Sequence, residues 1–191
     1  MNFLMTRVNM TPSIRLPGRT RLICRSMKWL ALAATGLIII FYFTTDAVSA
    51  ILDAVWAGLQ PQVREDVAYS AGKKLLLQTL ATISYFSLVL ILLGAARVFS
   101  VFQTGKVFGP IAVRAVRFLG LMIFLFAAIQ LVMPTLMVLG LTFDNGEDRR
   151  ALTIAVNSMQ VVLLLIGAII LIIGQILTQA TDIALENEQF V

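Results

Sequence analysis

The sequence predicts an all-α polytopic membrane protein with four transmembrane helices and both termini in the cytoplasm. Composition gives the class: 59% of residues are hydrophobic, 13% are charged and the mean hydropathy is +0.92, against about 25% charged residues in soluble domains. Charge-free runs give the helices. There are 17 uncharged residues between Lys28 and Asp46, 22 between Lys74 and Arg97, 26 between Arg117 and Asp144, and 31 between Arg150 and Asp182. A helix needs about 20 apolar residues to cross a hydrocarbon core about 30 Å thick. Backbone amides in lipid must find partners within their own segment, so such runs form helices. The distribution of cations gives the orientation.

The elements follow in order. Residues 1–28 carry Arg7, Arg15, Arg19, Arg21, Arg25 and Lys28, no acid, and the breaks Pro12 and Pro17, which reads as a disordered basic cytoplasmic tail. Two other readings of this region stay open: translation from Met27, and a secretory signal cleaved after Ala50. Residues 29–191 form one transmembrane domain. Its first helix spans about 29–51. From its far end the helix continues, with Asp46 and Asp53 on one face, as an extension lying at the outer interface, with Trp56 at headgroup depth and a stop near Pro61. The second helix spans about 75–96 and the third about 118–141. The fourth spans about 151–178 and continues into the cytoplasm.

Sidedness rests on lysine and arginine. The N-terminal tail and the 97–117 loop together hold ten cations and no acid, whereas the opposite loops hold five cations among acids. An excess of lysine and arginine marks cytoplasmic loops. Both termini and the 97–117 loop therefore face the cytoplasm. Phe99, Phe102 and Phe108 anchor that loop at the interface, while its cations meet anionic lipid at about 1 kcal/mol each.

The same composition excludes much chemistry. The chain has no histidine and one cysteine, so imidazole acid–base catalysis, an intrachain disulfide and the usual zinc spacings are out of reach. No cofactor, metal site or catalytic residue is expected, and the protein is read as a non-enzyme. The net charge of +5 belongs to cytoplasmic loops and does not imply nucleic acid. The segment "DNGED" at 144–148 is a turn rather than a calcium loop. Within the spans, Gln78, Gln130 and Asn157 are the polar positions of note. They act either as interhelical glue or as the lining of a pathway. Pro134 frees a backbone carbonyl near Gln130 and predicts a kink. Gly167 and Gly174, seven apart, allow close helix approach.

The remaining constellation is cytoplasmic. Arg97, Lys106, Phe108, Arg114 and Arg117 define a basic interaction face. Gln175, Gln179, Asp182 and Glu186 recur at helical spacing on the extension of the fourth helix. Pairing of Asp182, Glu186 or Glu188 with Arg114, Arg117 or Lys106 would clamp that helix to the loop. A solvated tail is the alternative, since exposed pairs are worth only about 0–1 kcal/mol.

The segment "VFSVFQTGKVFGPIAVRAVRFLG" resembles the second cytoplasmic loop of the bacterial family known as domain of unknown function 2975. The likeness falls on Gly105, Phe108, Val113-Arg114, Val116-Arg117 and Gly120. The closing "QATDIALENEQFV" is similar to that family's acidic end, at Glu186, Asn187 and Glu188. The long basic N-terminal tail is outside the pattern. The resemblance implies four transmembrane helices with both ends inside, no catalytic residue, and proximity to small helix-turn-helix regulators as possible partners. The function expected is that of a non-enzymatic interaction or regulatory membrane protein. A small transporter or pore, and an accessory subunit of a larger membrane complex, are the alternatives.

Overall fold

The computed structural model describes residues 18–44, 49, 53, 55–57, 70–105, 109–143 and 157–188. Four long helices make up nearly all of them: α1 (Gly18–Thr44), α2 (Ala71–Gln103), α3 (Pro110–Thr142) and α4 (Ser158–Glu188). No strand occurs among the described residues. Each helix contains a stretch long and apolar enough to cross a membrane. The protein is an all-α, multi-pass membrane protein.

Helix ends depart from the charge-free runs because caps and breakers set them, not hydropathy. α1 starts at Gly18, just after Pro17, so its first turns take in Arg19, Arg21 and Arg25 from the segment read as tail. Arginine and leucine are good helix formers, and nothing after Pro17 interrupts them. Residues 1–17 lie outside the described residues. α2 starts one turn before the expected Leu75. Ser70 caps it, its Oγ accepting from the Lys73 amide at 3.3 Å, a standard way to satisfy a first-turn donor. α2 runs to Gln103 and stops where Gly105 takes a left-handed φ of 79°, which glycine adopts without a Cβ penalty. Gly109 and Pro110 then open α3, with proline at the position where a missing N–H costs nothing.

The described part of α4 starts at Ser158 and carries a capping box. Asn157 Oδ1 accepts from the Met159 amide at 3.0 Å, and Gln160 Oε1 accepts from the Asn157 amide at 3.2 Å. The expected helical residues 151–156 lie outside the described residues.

The helices pack in chain order, α1 on α2, α2 on α3 and α3 on α4, and every seam is antiparallel. Arg21 meets Gln103 and Tyr42 meets Thr82 across the first seam. Across the second, Lys73 meets Leu141 and Gly94 meets Leu119. Across the third, Arg117 meets Gly174, Phe124 meets Gly167 and Gln130 meets Gln160. A step forward on one helix is thus a step back on its neighbour. The third seam is the tightest. A Cβ added at Gly167 would fall 2.6 Å from the Phe124 amide nitrogen, and one at Gly120 would fall 2.9 Å from that of Leu171. Small residues of this kind let backbones approach within lipid.

A buried cluster of Leu77, Ala81, Met133, Met137 and Leu141 holds the start of α2 against the end of α3. Val55 and Trp56, in helical conformation, pack against it half-buried. Trp56 therefore covers this cluster. Hydroxyls along the helices return to their own i−4 carbonyls, as Thr79 does to Leu75, Thr82 to Gln78 and Thr142 to Val138. Such back-bonding satisfies polar side chains without a partner helix.

Candidate functional site

Antiparallel packing gathers the start of α1, the end of α2, the start of α3 and the end of α4 at one end of the array. Seven described cations come with them: Arg19, Arg21, Arg25, Lys28, Arg97, Arg114 and Arg117. Six are exposed and Lys28 is half-buried. The seam contacts place Lys28, Arg97 and Arg117 at about one level, where the charge-free runs begin. Trp29, next to Lys28, is 61% exposed, in the manner of an interfacial aromatic. The charge-free apolar stretches begin at this level, and the other four cations lie beyond it.

Local bonds hold this end together. Arg21 Nε donates to the Gln103 carbonyl at 3.1 Å, and Gln103 Nε2 donates to the Cys24 carbonyl at 3.2 Å. α1 is thereby latched to the C-terminal turn of α2, where carbonyls lack intrahelical donors. The Arg97 guanidinium lies 5.9 Å from the centroid of the Phe118 ring, a cation–π geometry. Arg114 Nε donates to the Pro110 carbonyl at 3.3 Å. A groove of about 260 Å³ opens between α3 and α4, lined by Pro110, Val113, Arg114, Arg117, Thr178 and Thr181.

Of the expected interaction face, Arg97, Arg114 and Arg117 are thus brought to one end, on two helices. Lys106 and Phe108 lie outside the described residues. The backbone of Asp182, Glu186 and Glu188 is helical, within α4, and their side chains lie outside the described residues. The expected clamp falls there with them. α4 passes the groove residue Thr181 by seven residues, about 10 Å of further helix.

Asn157 and the backbone of Gln130, but not the side chain of Gln78, have structural partners among the described residues. Pro134 cannot donate to the Gln130 carbonyl four residues earlier, and Gln160 Nε2 donates to that carbonyl instead, at 2.7 Å. Gln160 therefore serves two ends, capping α4 through Oε1 and mending α3 through Nε2. Asn157 is the N-cap of α4 and is exposed. Gln78 is exposed on α2 and joins neither of them. Gln130 and Asn157 are brought together through Gln160, and Gln78 stands apart.

Residues missed by the sequence reading include Gln103, Thr178 and Thr181. The threonines had a legible signal: with Gly167 and Gly174 they repeat at steps of seven, four and three, one continuous stripe of α4. A larger groove, about 550 Å³ and mostly apolar, lies at the opposite end and is lined by Lys73, Leu76, Leu80, Leu136 and Phe143 among others. Lys73 there is only 8% exposed, and its Nζ donates to the Leu141 carbonyl at 3.0 Å.

The family described as "Protein of unknown function (DUF2975)" matches residues 60–191, which include α2, α3, α4 and the whole groove. The chain belongs to this family. No curated protein and no solved structure matches it.

Proposed function

We propose that this family member is a non-enzymatic interaction or regulatory protein of the bacterial cytoplasmic membrane. Both termini and the α2–α3 turn face the cytoplasm, and the cationic end is its contact surface. The observation that supports this reading is the gathering of seven cations, six of them exposed, at one end. Cations on the cytoplasmic side avoid translocation and meet the negative surface of the inner leaflet. The helical extension of α4, with Asp182, Glu186 and Glu188, projects past this surface and offers an acidic element to a protein partner beside the basic one.

A pathway through the membrane has less support. The Asn157 and Gln160 side chains are engaged in capping α4 and in mending the Pro134 gap at the Gln130 backbone carbonyl, so these two amides already serve the fold. A photoreactive residue placed at Arg97 in native membranes tests the proposal. Adducts are expected with inner-leaflet phospholipid or with an intracellular protein. Adducts restricted to components of the opposite side would overturn it.

A further inference from the structure

We infer that the groove between the start of α3 and the end of α4 is a binding site for the phosphate group of an anionic phospholipid. This inference rests on the orientation proposed above and gives the cationic end one defined ligand. The walls are chemically suited to a phosphate. Arg114 and Arg117 are three residues apart on α3, hence neighbours on one face, and both line the groove. Arg114 uses its Nε on the Pro110 carbonyl, which fixes the side chain, and its terminal nitrogens have no partner among the described residues. Neither arginine is paired with an acidic side chain among the described residues. Guanidinium groups recognise phosphate through two parallel charge-assisted bonds.

Three further features converge on the same place. Gly174 leaves room for the stem of Arg117, since an added Cβ there would fall 2.5 Å from Arg117 Cγ. The opposite wall presents Thr178 and Thr181. Their hydroxyls donate to the Gly174 and Leu177 carbonyls at 2.9 and 2.8 Å, and each would exchange that bond for one to a phosphate oxygen by rotating its single O–H. α3 begins beside the groove with Gly109 as N-cap and no side-chain cap, so the positive end of its dipole is uncovered.

Depth selects the source of the phosphate. Arg117 marks the edge of the charge-free run and Arg114 lies one turn beyond it, at headgroup level rather than in open solvent. The groove opens between two helices whose outer faces are apolar and exposed, including Ile111, Ile172 and Ile176. Acyl chains attached to the phosphate have a greasy surface to lie along. A free phosphate would gain nothing from that surface.

The test uses the full chain in mild detergent, titrated separately with phosphatidylglycerol, phosphatidylcholine and inorganic phosphate, with first-site affinity read by native mass spectrometry. The expected result is a saturable preference for phosphatidylglycerol that weakens about 30-fold in the Arg114→Gln, Arg117→Gln double variant, from about 1 kcal/mol per cation. The Arg19→Gln, Arg25→Gln pair is the control. Those residues are on α1, two seams away, and helix axes are about 8–10 Å apart, beyond the Debye length of about 8 Å at physiological salt. This pair should change the affinity far less. Equal losses in the two pairs would overturn the groove site and leave the cationic surface standing. No preference for phosphatidylglycerol in the native chain would overturn both. Equal binding of inorganic phosphate would overturn the lipid assignment. Thr178→Val with Thr181→Val keeps the arginines, and a few-fold loss is expected. Unchanged affinity in this pair would overturn the site even if the arginine pair fails to fold.

Discussion

The two ends of the helix array differ in how far the fold draws on positive charge. At the end formed by α1, α3 and the last turns of α2 and α4, six arginines stand exposed. At the other, Lys74 is exposed but Lys73 is drawn in against the last turn of α3 until it is 8% exposed, donating to the Leu141 carbonyl. A helix C-terminus carries partial negative charge and unsatisfied carbonyls, so Lys73 is used there to finish α3. The exposed arginines stay at the surface and make only peripheral contacts: the Arg21 latch, Arg97 over the Phe118 ring and Arg114 on the Pro110 carbonyl. Charge that the fold does not consume is available to something outside it, and that contrast is why the contact surface is assigned to the arginine-bearing end.

Substitutions can break or sharpen this comparison. The largest effect is expected at the seam that joins the two ends. Gly167→Ala sets a methyl against the Phe124 backbone, which cannot yield, and should cost about 3 kcal/mol of stability, the upper part of the overpacking range. Gly140→Ala meets only the flexible Leu76 Cδ2, at 2.7 Å, and should cost under about 1 kcal/mol. Denaturant titration in mild detergent checks the ranking. Similar losses would mean that α3 and α4 are not held by backbone approach.

Next in size is the comparison of the ends themselves. Lys73→Met removes the donor to a C-terminal carbonyl and should cost about 2 kcal/mol. Arg25→Gln, at an exposed position, should stay within about 0.5 kcal/mol. Equal costs would erase the distinction between a charge used by the fold and a charge left for a ligand. Gln160→Leu should cost about 1 kcal/mol by removing the capping box and the donor to the Gln130 carbonyl, and it should leave phosphatidylglycerol binding at the far end unchanged. A loss of that binding would show that the two ends are coupled through α4.

How much of this was legible follows from what hydropathy encodes. Charge-free runs report depth, so the four helices and the level of Arg97 and Arg117 could be read directly. Pro134 announced a freed carbonyl near Gln130, and glycines at 167 and 174 announced a close seam. The donor that meets that carbonyl was not legible. Finding Gln160 requires the register of α4 against α3, which is set by contacts such as Phe124 with Gly167, over forty residues apart in the chain. The burial of Lys73 was hidden for the same reason, since its partner Leu141 lies on another helix. The start of α1 was misplaced because hydropathy ends at Lys28 whereas helix propensity runs back to Pro17. Thr178 and Thr181 could be read as continuing the Gly167–Gly174 stripe, but that Arg114 and Arg117 stand opposite them could not.

The central claim is that the arginine-bearing end lies inside the cell. A phosphatase active only outside the cytoplasm, and separately a protein fluorescent only inside it, fused after Val191 reads that directly. Fluorescence without phosphatase activity is predicted. Phosphatase activity without fluorescence would place the cationic end on the outer face and contradict the account.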